Sequence, residues 1–155
     1  EFKPEYIDLY ELIGDVVELQ KANANQKDIA ISLQINQHFD VFADMHMLSF
    51  VLRNLIGNAI KFTPNSGQIS IEASRTKTNV IIQIADTGVG MTKSVVQQLF
   101  DLNRHYTTEG TNKEKGTGLG LILSKEFVDQ HRGVLYVEST PGEGSKFTIS
   151  LPLEA

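Results

Sequence analysis

Apolar side chains recur along the chain with two different periods, which separate predicted helices from predicted strands. Over 9–25, 44–62 and 116–131 they return every three or four residues, the spacing of one buried helix face. Elsewhere they alternate with polar or small residues, as in a strand with one buried face. The predicted strands are 29–35, 41–43, 68–74, 79–85, 134–139 and 146–153, and a short helix is predicted over 92–100. Asp8 and Asp44 are the predicted N-caps of the first two long helices. The buried face of the first strand is expected to carry Ile29, Ile31, Leu33 and Ile35, and the inward face of the last helix Ile122, Leu123, Phe127 and Val128.

Turn-forming residues connect several of these strands directly. Thr-Pro-Asn-Ser-Gly at 63–67 ends the second helix, residues 76–78 join two strands, and Thr-Pro-Gly-Glu-Gly at 140–144 joins the last two. Such short connections produce antiparallel pairs. The order of elements predicts an α+β fold, a two-layer sandwich with helices on one face of a mixed, mainly antiparallel sheet. Residues 101–115 are polar and without a clear period, which is typical of a functional loop.

Composition narrows the possible functions. A length of 155 residues fits one domain, 1–155. The net charge of −5 offers no basic surface for nucleic acid, so we expect no nucleic-acid partner. The absence of cysteine excludes disulfides and thiolate metal sites. No apolar run approaches the roughly 20 residues of a membrane span and no signal-peptide pattern is present, so we expect no direct membrane contact.

Three polar side chains share one face of the second predicted helix. Asn54, Asn58 and Lys61 follow one another at i, i+4 and i+7, which places them in a narrow stripe. Two interpretations remain open for this stripe: a solvated polar face, or a site where amide oxygens bind a hard cation and lysine meets phosphate. The face expected to lie in the core carries Leu48, Leu52, Leu55, Ile56 and Ala59.

Asp86, Gly88 and Gly90 stand where an apolar strand ends. A carboxylate there can accept a hydrogen bond from the amino group of adenine, while the glycines let the backbone approach a flat ring. A plain turn with an aspartate cap is the alternative interpretation.

A second glycine-rich run leads into the last predicted helix. Alternating glycines at a helix start can bring backbone N–H groups to phosphate, and a flexible hinge is the alternative. The run consists of Gly116, Thr117, Gly118, Leu119 and Gly120.

Taken in order, these motifs resemble the ATP-binding catalytic domain of sensor histidine kinases, within the wider ATPase group of gyrase and the MutL repair proteins. The resemblance covers essentially the whole chain. Asn54-x-x-x-Asn58-Ala59-x-Lys61 resembles the N box, Asp86-x-Gly88-x-Gly90 the first glycine box, Leu99-Phe100 the F box, Gly116-x-Gly118-x-Gly120 the second glycine box, and 140–147 the closing hairpin.

The resemblance implies the Bergerat ATP-binding fold, with ATP and Mg²⁺ as cofactors. Asn58 would be the main Mg²⁺ ligand with Asn54 beside it, Lys61 would offset phosphate charge, and Asp86 would select adenine. Residues 101–115 would form a lid over the nucleotide. The other implied nucleotide contacts are Gly88, Gly90, Phe100, Lys115, Gly116, Thr117, Gly118, Leu119 and Gly120. Arg104 is the implied arginine near the γ-phosphate, a place that Lys113 or Lys115 can take instead.

One residue distinguishes phosphoryl transfer from hydrolysis. Gyrase-like ATPases have a glutamate that activates water where this chain has Asn54, and asparagine is a poor general base. The resemblance therefore favours an ATP-dependent protein histidine kinase. Two alternatives remain open: a nucleotide-binding docking module without chemistry, and an anti-sigma-factor serine kinase, which usually carries an acidic residue at position 54.

The phosphoacceptor motif of the family, a histidine followed by an acidic residue, is not found at His38, His46, His105 or His131. The chain is therefore interpreted as a monomeric, cytoplasmic catalytic fragment. Its expected partners are a histidine-bearing dimerisation domain upstream and the receiver domain of a response regulator.

Overall fold

A computed structural model of the chain describes residues 1–100, 110–111 and 119–153. Its strands are β1 (Pro4–Asp8), β2 (Ala30–Gln34), β3 (Asp40–Asp44), β4 (Gln68–Arg75), β5 (Asn79–Asp86), β6 (Val134–Thr140) and β7 (Gly144–Pro152). Its helices are α1 (Leu9–Gln26), α2 (Met45–Phe62), α3 (Lys93–Gln98) and α4 (Gly120–Gln130). Within these ranges no helix is long and apolar enough to cross a lipid bilayer.

The strands form a five-stranded sheet in the order β2-β4-β5-β7-β6 and a separate pair, β1-β3. In the larger sheet only β2 and β4 pair in parallel, so the α+β prediction with a mixed, mainly antiparallel sheet is confirmed. The separate pair was not predicted. Its two strands are separated along the chain by α1 and β2, yet they pair directly, with Tyr6 opposite Phe42. No local pattern in the sequence specifies such a long-range pairing.

The sheet buries one face beneath the helices. Along β5, Val80, Ile82 and Ile84 are buried while the alternate residues are only partly covered, which gives the strand one core face. The predicted core face of α2 is confirmed, since all five of its apolar residues are buried: Leu48, Leu52, Leu55, Ile56 and Ala59.

Side-chain caps fix where the first two long helices begin. The Oδ1 atom of Asp8 accepts a hydrogen bond from the Glu11 amide at 3.2 Å, and that of Asp44 accepts one from the Met47 amide at 3.0 Å. Each cap satisfies one of the amides that a helix start leaves without an intrahelical partner. Both were predicted from the sequence.

The inward face of α4 differs from the prediction. Leu123 was expected to point into the core, but its side chain is 36% exposed, whereas the neighbouring Ser124 is fully buried. Gly120 and Ser124, four residues apart, lie against α2. Small residues are needed where two helices approach closely, and this requirement outweighs hydropathy here.

Strand β2 is also more exposed than predicted. Leu33 is 45% exposed because β2 is an edge strand of the larger sheet. The residues that flank this strand, Ile29 and Ile35, are buried as predicted.

Candidate nucleotide-binding site

The polar stripe of α2 lies at the border of the core. Asn54, Asn58 and Lys61 are half-buried although the helix around them is largely buried. Among the described residues no hydrogen bond engages the side-chain amide of Asn58, which leaves its oxygen available to a ligand. The Lys61 ammonium lies 5.0 Å from the ring centroid of Phe62.

Asn54 is held against the start of α4. The Ser124 hydroxyl donates a hydrogen bond to Asn54 Oδ1 at 3.4 Å. A Cβ atom placed on Gly120 would lie 2.9 Å from Asn54 Cγ and still closer to its amide nitrogen, so a larger residue there would displace the Asn54 side chain. The structure thus brings the first residue of α4, from the second glycine-rich run, next to the polar stripe.

The N-terminus of α4 adds a favourable electric field beside Asn54. The residue before the helix, Leu119, is 49% exposed and its side chain provides no cap. Backbone N–H groups at a helix start favour an anionic ligand. Arg104, Lys113, Lys115, Gly116, Thr117 and Gly118 lie outside the described residues, as does most of the predicted lid.

Asp86 lies at the end of β5 with one carboxylate oxygen engaged by the protein. Oδ1 accepts hydrogen bonds from the Gly88 amide at 2.8 Å and the Ser145 amide at 3.2 Å. Burial raises the pKa of Asp86, and these two hydrogen bonds partly oppose that shift. Within the described part of the chain no hydrogen bond uses Oδ2, so the carboxylate is oriented with one acceptor left over.

The glycines that follow Asp86 have a packing role. A Cβ on Gly88 would lie 2.5 Å from the Phe62 carbonyl oxygen. Gly90 has φ +69°, and a Cβ there would lie 2.7 Å from the Thr140 carbonyl carbon. Both glycines therefore let the loop pack between the end of α2 and the last hairpin. Their approach to adenine remains a prediction from the resemblance.

The hairpin at 140–144, interpreted from the sequence mainly as a turn, supports the Asp86 loop. The Gly142 amide donates to the Val89 carbonyl at 2.7 Å, and the Met91 amide donates to Ser139 Oγ at 2.8 Å. Sequence reasoning missed the contributions of Ser139 and Ser145 because nothing local connects these serines with a loop some fifty residues earlier.

The F box contributes to the core. Leu99 is buried, and Phe100 is partly buried and packs against the hydrophobic core. A nucleotide contact by Phe100 remains a prediction from the resemblance.

One further polar cluster was not predicted. Ligand atoms of Asp8, Glu11 and His38 lie within 4.8 Å of one another. Asp8 already caps α1 and bonds His38 Nδ1 at 2.7 Å, so the cluster has a structural explanation.

The residues of the site suit a magnesium nucleotide. Asn54 and Asn58 supply amide oxygens, which are hard ligands of the kind Mg²⁺ prefers. Lys61 and the N-terminus of α4 supply positive potential for phosphate, and Asp86 supplies a partly buried acceptor for an amino group.

Comparison with known proteins places this geometry in a family. Residues 43–155 match the model of the histidine kinase-, DNA gyrase B- and HSP90-like ATPases. The chain is 39% identical over 134 residues to the circadian input-output histidine kinase CikA of Synechococcus elongatus. The aligned region covers 86% of this chain and 18% of CikA. It therefore spans less than a fifth of that relative's length.

Two solved structures are similar over nearly the whole chain. The catalytic domain of histidine kinase ThkA superposes with a TM-score of 0.87 at 27% identity, covering 99% of both chains. Full-length ShkA in complex with AMPPNP superposes with a TM-score of 0.83 at 27% identity, covering all of this chain and 32% of ShkA. With the family model matched over most of its length, the chain belongs to the histidine kinase-, DNA gyrase B- and HSP90-like ATPases.

Proposed function

We propose that this chain binds ATP with Mg²⁺ and transfers the γ-phosphoryl group to a histidine on a separate domain. The observation that carries the proposal is the pairing of a partly buried, oriented Asp86 carboxylate with the Asn54 and Asn58 stripe. ShkA, similar over the whole of this chain, was crystallised with AMPPNP, which supports a nucleotide at this site.

Asp86 would select the base. Its unused oxygen accepts a hydrogen bond from the 6-amino group of adenine, whereas guanine presents a 6-oxo acceptor to the same carboxylate. Two acceptors that face each other away from bulk water cost free energy, so the site favours adenine over guanine nucleotides.

The α2 stripe and the start of α4 would bind the phosphates. Asn58 and Asn54 would hold Mg²⁺, which would neutralise phosphate charge. Lys61 adds a cation on the same face, and the N-terminus of α4 adds positive potential beside Asn54. Arg104 and Lys115 are further proposed phosphate contacts.

Transfer rather than hydrolysis is supported by the character of Asn54. An amide cannot accept a proton from water as a carboxylate does, so the chain supplies no general base at this position. In transfer, an imidazole nitrogen attacks the γ-phosphorus, the bond to the β–γ bridging oxygen breaks, and ADP leaves. The imidazole proton passes to solvent.

We place the acceptor histidine outside this chain. His131 is buried, with Nε2 accepting from the Asp44 amide at 2.9 Å and Nδ1 bonded to the Phe127 carbonyl at 2.7 Å, so neither nitrogen is available. His38 Nδ1 is bonded to Asp8. The proposed partners are therefore an upstream dimerisation domain with the acceptor histidine and the receiver domain of a response regulator, and the proposed location is the cytoplasm.

Calorimetry tests the nucleotide site directly. Wild-type protein, Asp86→Asn and the surface control Asp129→Asn are titrated with ADP, GDP and an ATP analogue, with and without Mg²⁺. We expect Mg²⁺-dependent binding, preference for ADP, and loss of binding only in Asp86→Asn. A folded wild-type protein that binds none of these nucleotides refutes the proposal.

Transfer is then measured with a supplied histidine-bearing helical domain and γ-labelled ATP. Labelling of that domain, with little phosphate release in its absence, is the expected result. Nucleotide binding without transfer favours a docking module, and rapid phosphate release favours a hydrolase.

A further inference from the structure

The C-terminus of α2 is a junction of distant segments. A helix leaves its last four carbonyl groups without intrahelical partners, and in α2 these belong to residues 59–62. Described donors to these four carbonyl groups come from four different segments of the chain. Thr63 Oγ1 donates to the Ala59 carbonyl at 2.6 Å, and Lys27 Nζ donates to the Ile60 carbonyl at 2.9 Å. The Thr111 amide donates to the Lys61 carbonyl and the Val89 amide to the Phe62 carbonyl, both at 3.0 Å. Each donor fixes its own segment to the end of the polar stripe.

Lys27 is a buried cation at this junction. Its residue is only 4% exposed, yet it is not among the residues of the proposed site. The ammonium donates to the Ile60 carbonyl at 2.9 Å, the Lys61 carbonyl at 3.2 Å and the Thr111 hydroxyl at 2.6 Å. A buried ammonium requires such acceptors, and its charge lies at the negative end of the α2 dipole.

The backbone of Lys27 is also fixed. Its amide caps α1 by donating to the Ala24 and Asn25 carbonyls, and its own carbonyl accepts from the Ser66 amide at 2.7 Å. The ammonium is therefore presented from a rigid base, not from a freely moving side chain.

Thr111 is the partner that links Lys27 to the segment between the F box and the second glycine box. Its amide donates to the Lys61 carbonyl at 3.0 Å, and its hydroxyl donates to the Thr63 carbonyl at 3.0 Å while accepting from Lys27. Three hydrogen bonds thus hold Thr111 at the end of α2, next to the residue that carries the proposed phosphate-binding ammonium, Lys61.

We propose that Lys27 is a positioning residue for the nucleotide site, because its hydrogen bonds hold Thr111 and the Lys61 carbonyl group in place. The inference rests on the proposed function, because it assigns to Lys27 an effect on nucleotide affinity without direct contact. Lys27 acts through the carbonyl of Lys61 and the hydroxyl of Thr111, so its removal loosens both sides of this junction.

The test compares Lys27→Met, which keeps the aliphatic stem, with Lys27→Arg, which restores charge and donors. Leu151→Ala is the control for simple destabilisation, since Leu151 is buried at the end of β7 opposite to Ser145. The two measurements are amide exchange at Thr111 by NMR and calorimetric binding of a magnesium ATP analogue, both at a temperature where every variant is folded.

We expect Lys27→Met to speed exchange at Thr111 by about tenfold and to weaken binding by about fivefold. Lys27→Arg should recover part of both effects, and Leu151→Ala should lower the melting temperature with neither. Unchanged exchange at Thr111 in Lys27→Met overturns the inference. So does a binding loss that Leu151→Ala reproduces.

Thr111→Val provides a second variant if Lys27→Met does not fold. It removes the hydroxyl and leaves Lys27 in place, and binding equal to wild type would contradict the inference. A wild-type protein that binds no nucleotide refutes the proposed function instead, while the exchange measurement still decides whether Lys27 holds Thr111.

Discussion

Replacement of Gly120 by alanine should impair the nucleotide site while leaving the fold almost equally stable. Gly120 begins α4 and touches the side chain of Asn54, on which the proposed Mg²⁺ site depends. The added methyl group would lie 2.9 Å from Asn54 Cγ and closer to its nitrogen, so the amide must rotate away.

The free energy of unfolding should change little, because Gly120→Ala has both destabilising and stabilising effects. Forcing Asn54 off its rotamer costs about 0.5–1.5 kcal/mol, and losing the long Ser124 hydrogen bond costs at most about 1 kcal/mol. Alanine in place of glycine in a helix returns up to about 1 kcal/mol. With a return of about 1 kcal/mol, we therefore expect a net loss in the free energy of unfolding of no more than about 1.5 kcal/mol.

The effect on binding should be larger because a misplaced amide no longer reaches its ligand. Loss of one polar contact to a charged group is worth about 1.5–3 kcal/mol, which corresponds to about ten- to hundredfold in Kd. Calorimetry with a magnesium ATP analogue measures this loss, and thermal unfolding measures the stability.

Gly14→Ala is the matched control. Gly14 lies within α1, and a Cβ there would meet no atom within 4 Å. We expect it to stabilise the protein by up to about 1 kcal/mol and to leave binding unchanged. Wild-type affinity in Gly120→Ala would refute the assignment of Asn54 to the site, whereas a loss of several kcal/mol in stability would refute the account of its packing.

Three further substitutions test the electrostatics and the buried hydrogen bonds. Burial raises the pKa of Asp86, so the ionised carboxylate costs stability as the pH rises through that pKa. Asp86→Asn should therefore melt higher than wild type, by more at about pH 7 than at about pH 4; a gain that grows on acidification contradicts this. Thr148 Oγ1 is buried without a hydrogen-bond partner among the described residues, and Thr148→Val should stabilise the protein by about 1 kcal/mol in urea unfolding. His131→Leu leaves the buried Asp44 amide without its acceptor and should cost about 1–3 kcal/mol, so an unchanged urea midpoint would contradict that role.

The elements that follow from local periodicity were predictable from the sequence. Every predicted helix and strand is present, and the caps at Asp8 and Asp44 form as expected. The reason is physical: burial of one face imposes a period of two or 3.6, and a cap needs only a short polar side chain at one position. The same argument placed Asn54 and Asn58 on one face of α2.

The contacts that complete the site were not predictable in this way. Lys27 ends a helix in a polar stretch, where lysine is usually exposed, and only the convergence of α1 with the end of α2 buries it. Ser124 lies beside the more apolar Leu123, yet the close approach of Gly120 to Asn54 turns the serine inward. Both outcomes depend on which distant residues meet, and one sequence carries no direct signal of that.

The described side chains of the proposed site share an arrangement that explains how binding and folding coexist there. Asp86 uses Oδ1 within the protein and keeps Oδ2, and Asn54 is held by Ser124 and Gly120. Lys61 is fixed through its carbonyl, far from its ammonium. For Asp86 and Lys61 the protein uses an atom that the proposed ligand does not contact, so binding orders these groups at little cost in conformational entropy. In Asn54 the Ser124 hydrogen bond occupies one of the two lone pairs of Oδ1 and leaves the other for Mg²⁺. The backbone at the end of α2 contributes in a similar way. The Val89 amide donates to the Phe62 carbonyl, and this hydrogen bond connects the polar stripe to the loop that follows Asp86.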